Sequence, residues 1–237
     1  MISSTLPARS PSVLLLPLAA SLFFLSSLAT AHGVADADAG FLQQQTGFQF
    51  WPYFYLGAKH MVTGYDHLLF LTGVVFLLYA LRDVVVYATL FAVGHSLTLL
   101  AGVWFEIPAN PYLIDAIIGL TVVYKAFENL GGFSSMGINI NTKFAVWVFG
   151  LVHGFGLATK LQALSLSQEG LLGNLIAFNL GVEAGQLIAL MGIGTLTLCW
   201  RHVAQFESQA WVINTLLMTG GFILTGHQLA GYYLHGG

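Results

Sequence analysis

Charge is what this sequence has least of. Only 7% of its 237 residues are Asp, Glu, Lys or Arg, against 57% hydrophobic residues, and the mean hydropathy is +0.79. An ordinary soluble domain carries about 25% charged residues, so this balance excludes one and points to a polytopic membrane protein with lipid as an obligatory partner. No basic patch is present, which argues against nucleic acid as a partner. Cysteine is nearly absent as well: Cys199 stands alone, which excludes an internal disulfide and disfavours a thiolate metal site. No glycine-rich nucleotide-binding motif occurs, which disfavours chemistry driven by a bound nucleotide.

What is present begins with a leader. Arg9, the apolar run Val13 to Leu28 and the ending Ala29-Thr30-Ala31 read as a cleaved secretory signal over residues 1–31, an uncleaved anchor being the alternative. Cleavage there leaves a mature amino end at His32, outside the cytoplasm, in a bacterial-type inner membrane. Residues 32–56 read as an extracytoplasmic segment, closed by Trp51-Pro-Tyr-Phe-Tyr55, whose rings suit the membrane interface. The remainder, 57–237, reads as an all-α bundle of six transmembrane helices. They are placed at about 59–80, 84–104, 112–130, 143–163, 171–199 and 210–233, each near the roughly 20 residues a bilayer needs. Arg82, Lys125, Lys143 and Arg201 near inner ends, against Lys59 and Lys160 near outer ends, agree with that orientation.

The chain is organised around His60-Met-Val-Thr-Gly-Tyr-Asp66-His67, where ionisable groups enter an apolar run. Each such group costs at least roughly 2.5–3.5 kcal/mol in hydrocarbon, so it belongs in a bundle interior, paired or holding an ion. On one continuous helix His60 and His67 share a face, about 10 Å apart along the axis. His95 and His153 fall roughly 16 and 15 Å above the inner ends of their spans, and Asp66, His67 and Glu183 reach the same slab from the other side. His60, Asp66, His67, His95, His153 and Glu183 are therefore the candidate metal ligands. Asp115, Glu128, Asn179, Gln186 and His227 extend them as a candidate path. Asn179, Glu183 and Gln186 fall at i, i+4 and i+7, one polar stripe on an apolar helix. Gly150-x-x-x-Gly154 and Gly181-x-x-x-Gly185 read as close helix contacts. Lys125 and Glu128 are spaced to neutralise each other, and His227 reads as a satisfied interior histidine.

Imidazole with carboxylate and no thiolate suits nickel, cobalt or zinc. Histidine must be neutral to bind them, so binding should weaken below roughly pH 6.

Five ordered motifs carry a family resemblance: His60-x5-Asp66-His67, Phe91-Ala-Val-Gly-His95-Ser96, Val123-Tyr-Lys-Ala-Phe-Glu128-Asn129, Phe149-Gly-Leu-Val-His153-Gly-Phe-Gly156 and Phe178-Asn-Leu-Gly-Val-Glu183-Ala-Gly-Gln186. Together they resemble the HupE/UreJ family of membrane proteins over about Gly57 to Gln186. The hydrogenase-linked branch has a second histidine after its His-Gly element; here the element reads His153-Gly-Phe-Gly-Leu, similar to the other branch. The resemblance implies a secondary permease for nickel or cobalt, with no resident cofactor and with the divalent ion as cargo. A homo-oligomer is left open. Three alternatives stand beside it: an intramembrane zinc-dependent hydrolase, a haem-binding subunit with His95 and His153 as axial ligands, and a non-catalytic accessory protein.

Overall fold

Every regular element among the described residues of the computed structural model, 46–76, 78, 80–163, 168–201 and 206–235, is a helix. The leader read over 1–31, His32, most of the 32–56 segment and His202 lie outside the described residues. In chain order the helices are α1 (Phe50–Thr63), α2 (Tyr65–Val75), α3 (Leu81–Trp104), α4 (Pro111–Asn129), α5 (Gly132–Ser135), α6 (Thr142–Ala163), α7 (Leu171–Arg201) and α8 (Phe206–His235). Three of them, α3, α6 and α7, are long and apolar enough to cross a membrane. Charge sets α4 apart, through Asp115, Lys125 and Glu128, and α8 is diluted by Asn214, His227, Gln228 and several threonines.

Five of the expected helical ranges coincide with observed helices to within a few residues, but the first does not. In place of one helix over 59–80, α1 starts at Phe50, takes in the aromatic stretch, and stops at Gly64, where the backbone is extended (φ −71°, ψ 107°). A new helix, α2, begins at once with Tyr65 and ends at Val75. Glycine after β-branched Thr63 is a weak helix interior that permits a break, but Thr72-Gly73 and Thr219-Gly220 stay helical, so local sequence alone does not place it. Elsewhere local signals act as written. Asn110 caps α4, its side-chain oxygen accepting from the backbone N–H groups of Tyr112 (3.0 Å) and Leu113 (3.4 Å), with Pro111 at the first helical position.

Lipid tails are as apolar as leucine, so helices in a bilayer associate through close packing and hydrogen bonds rather than through apolar burial. The bundle does this in three pairs: α1 with α7, α3 with α6 and α4 with α8. Glycine lines each seam. A Cβ on Gly57 or Gly181 would strike the Phe178 or Phe54 carbonyl across the first pair. One on Gly150 or Gly154 would strike the Phe91 or His95 carbonyl across the second, and one on Gly119 would strike Thr225 across the third. Both glycine pairs singled out in the sequence thus sit at true close approaches. The second brings α6 against the turn of α3 that carries His95.

Side chains tie the pairs to one another. Gln186 on α7 donates to the Ala88 carbonyl on α3 (3.2 Å). Asn129 on α4 donates both to the Gly73 carbonyl on α2 (2.7 Å) and to Asn214 on α8 (2.8 Å). Trp51 and Tyr55 lie exposed on α1, as interfacial rings should, while Tyr53 between them is buried.

Gly150→Leu should destabilise the bundle by about 3 kcal/mol or prevent its assembly, because a backbone carbonyl cannot rotate out of the way. Gly192→Leu on α7, where the space is open, should change stability by no more than about 0.5 kcal/mol. Thermal unfolding in detergent compares the two, and equal losses would remove the close-approach account.

Candidate metal centre

The break at Gly64 decides the site. On an unbroken helix His60 and His67 would stand about 10 Å apart along the axis; folded across the break, their ring centroids are 5.1 Å apart. Gly64 also has no room for a side chain, since a Cβ there would lie 2.9 Å from His67 Nδ1 and 3.1 Å from Asp66 Oδ1. Asp66 and His67 are packed directly over the broken turn.

His67 is the centre of an imidazole group. His153 of α6 approaches it at 5.0 Å between centroids and His95 of α3 at 6.0 Å, in addition to His60. His67, His95 and His153 are 2%, 0% and 1% exposed, so water does not solvate them. Even so, His60 Nε2, His67 Nε2, both nitrogens of His95 and His153 Nδ1 have no hydrogen-bond partner. A buried polar atom left unpaired costs about 1–3 kcal/mol, so five gathered in one place call for an occupant.

The surroundings set which ring nitrogens can bind. Asp66 Oδ1 lies 3.0 Å from His67 Nδ1, and a carboxylate only accepts. His67 therefore carries its proton on Nδ1 and presents the Nε2 lone pair. For His153 the same service comes from Thr121. The Thr121 hydroxyl donates to the Ile118 carbonyl (2.7 Å), so at 3.1 Å it accepts from His153 Nε2–H and leaves the Nδ1 lone pair free. Two lone pairs aimed inward, with their protons held outward by a carboxylate and a hydroxyl, are the arrangement that orients metal-binding histidines. Ligand atoms of Asp66, His67 and His153 all lie within 4.8 Å of one another, a spacing that admits a divalent cation.

Access is one-sided. Phe70 and Phe91 stack at 5.1 Å and each packs on His153, at 5.3 and 5.1 Å. With Val74, Val122 and Val146 they form a buried apolar floor. By contrast the Asp66 side chain is 17% exposed and His60 is half-buried, which makes them the more accessible members of the group.

Five of the expected ligands, His60, Asp66, His67, His95 and His153, are brought together. Glu183 is not. Asn179 and Gln186, about 20° apart around α7, turn inward and are buried, whereas Glu183 lies about 40° beyond Asn179 and is exposed. The three-residue polar stripe is thus a two-residue one. His227 is exposed rather than interior, because α8 turns Leu224, Thr225 and Gln228 toward α4 instead. The path ladder also thins out. Asp115 is paired with Lys160 (3.0 Å), and Glu128 accepts from Lys125 (2.7 Å) and from Thr142. The Lys125–Glu128 pairing was legible from its spacing. Thr121 was overlooked as a site residue; its signal was a hydroxyl on the inward face of α4, one turn before Lys125.

An all-helical integral membrane protein with a buried imidazole–carboxylate chamber is the class these features define. The family model described as HupE / UreJ protein matches residues 36–236, and the chain belongs to the HupE/UreJ family. That family is associated in general with nickel and cobalt transport. No curated protein and no solved structure matches the chain significantly.

Removing either orienting group should weaken metal binding without unfolding the protein. Asp66→Asn and Thr121→Val are each expected to raise the Kd for Ni2+ roughly 10–100-fold by equilibrium dialysis on the purified chain. Affinity within twofold of wild type in both would show that the outward hydrogen bonds do not prepare the imidazoles.

Proposed function

We propose that the chain is a secondary permease for a divalent transition metal, nickel or cobalt, which crosses the bilayer through the chamber around His67. The observation that carries this is the set of unpaired, buried imidazole nitrogens around Asp66. Neutral nitrogen donors with one carboxylate bind first-row divalent ions and disfavour magnesium and calcium, which prefer all-oxygen sites. The family's general association points the same way.

The chemistry of passage follows from the donors. Asp66 attracts the hydrated cation and the part-exposed His60 begins to replace its water. His67 Nε2 and His153 Nδ1 take over inside, and His95 lies next along the route. A broken helix supports the same reading, since discontinuous helices near the middle of the membrane place ion sites in many transporters. Release past the floor requires Phe70 and Phe91 to part, which a gradient-driven conformational change would supply. The inner membrane, with the amino end outside, is the location that suits uptake.

One observation favours a second reading. Asp66, His67 and His153 form a two-histidine, one-carboxylate set, which would also serve a zinc hydrolase. Stoichiometric zinc that survives purification, with hydrolysis of a lipid or peptide, is its signature. The haem reading loses its room, because His95 and His153 are both packed by His67 and Phe91.

Cells expressing the chain should accumulate Ni2+ or Co2+ above control cells, and replacing both His67 and His95 by alanine should bring accumulation down to the control. Uptake should fall below about pH 6, since protons and metal compete for the same lone pairs. Unchanged uptake in the double variant overturns the permease.

A further inference from the structure

Asn179 is the buried polar group that the chamber does not explain. It lies on α7, 6% exposed, and neither its amide nitrogen nor its amide oxygen has a hydrogen-bond partner. Beside it, on α3, is His95, fully buried, whose ring interacts with the Asn179 side chain itself and makes no well-formed hydrogen bond to any other group. An asparagine retained only to join helices would bond a backbone carbonyl, as Gln186 does two turns along the same face of the same helix. Asn179 does not; its amide faces the His95 imidazole across the α3–α7 contact, and neither side chain has a hydrogen-bond partner beyond the other.

We infer that His95 and Asn179 form a second cation station, distinct from the Asp66–His67–His153 group, with the Asn179 carboxamide oxygen as the ligand that sets its strength. The inference rests on the permease reading and adds to it a residue and a division of labour. At the first station a carboxylate and two imidazoles offer a charged donor set. The second offers an imidazole nitrogen and an amide oxygen, both neutral, to the same divalent cation. His95 is a single ring contact from His67 (6.0 Å), so an ion can pass between the stations without leaving donor atoms. Coulombic attraction is weaker at the neutral pair, which makes it the step from which the ion can leave. A second carboxylate at that point would hold the ion and stall transport.

The charge at position 179 tests this directly. Wild type, Asn179→Asp and Asn179→Leu are purified as the full chain and reconstituted in liposomes. Ni2+ uptake gives KM and turnover, and equilibrium dialysis in detergent gives Kd. Asn179→Asp should bind Ni2+ roughly tenfold more tightly and turn over roughly tenfold more slowly, the size of one charge-assisted contact. Asn179→Leu should keep Kd within about twofold, because the charged station is intact, while turnover falls about tenfold or more. Asn179→Gln, which retains the amide oxygen, should recover part of that loss. A residue that merely packed the helices would change the amount of folded protein without separating Kd from turnover. Wild-type turnover in Asn179→Leu, or Asn179→Asp with unaltered Kd and turnover, overturns the second station and leaves the permease standing. Absence of Ni2+ binding and uptake in the wild type overturns both.

Discussion

The broken turn at Gly64 is the constraint on which the rest of the molecule depends. At it one helix ends and the next begins, and the break brings His60 and His67 from opposite ends of a two-turn interval into ring contact. Gly64 also leaves the space that Asp66 and His67 fill. A continuous helix would display the same residues along one face and gather none of them. The break leaves backbone groups without helical partners, a cost that an interior helix can bear and a lipid-exposed one cannot.

The chamber then depends on close packing elsewhere. Helix α6 reaches α3 because Gly150 and Gly154 let backbone meet backbone, so that His153 and His95 approach His67 from two further helices. Thr121 arrives from α4 to hold the outer proton of His153. Charge outside this group is neutralised locally: Asp115 by Lys160, Glu128 by Lys125. Asp66 instead contacts the imidazole of His67 at 3.0 Å, so its charge stays at the histidine cluster. A cation drawn into the bundle is attracted there.

Much of this could be read from residue types and spacing. Apolar runs of bilayer length marked five of the helices, and turn residues marked their ends to within a few positions; the first run hid the break at Gly64. Lone histidines in such runs marked the site, because burial without a partner is too expensive to be accidental. Glu183 misled because i, i+4 spacing places a side chain near a face but cannot say how wide the buried arc is. Asn179 falls just inside that arc and Glu183 just outside it. A threonine inside a membrane helix ordinarily bonds its own backbone, and Thr121 does that as well, so its contact with His153 leaves no mark in the local sequence.

The sequence by itself determined the class of molecule, the positions of all but the first of its long helices, the donor types that can meet an ion and the family to which it belongs, since all of these follow from composition and local order. Only the tertiary structure decided which donors meet. Convergence depends on the angle of one turn and on which arc of each helix faces a neighbour. Those are set by contacts between segments more than a hundred residues apart, such as Gly57 with Phe178, and no local pattern encodes them.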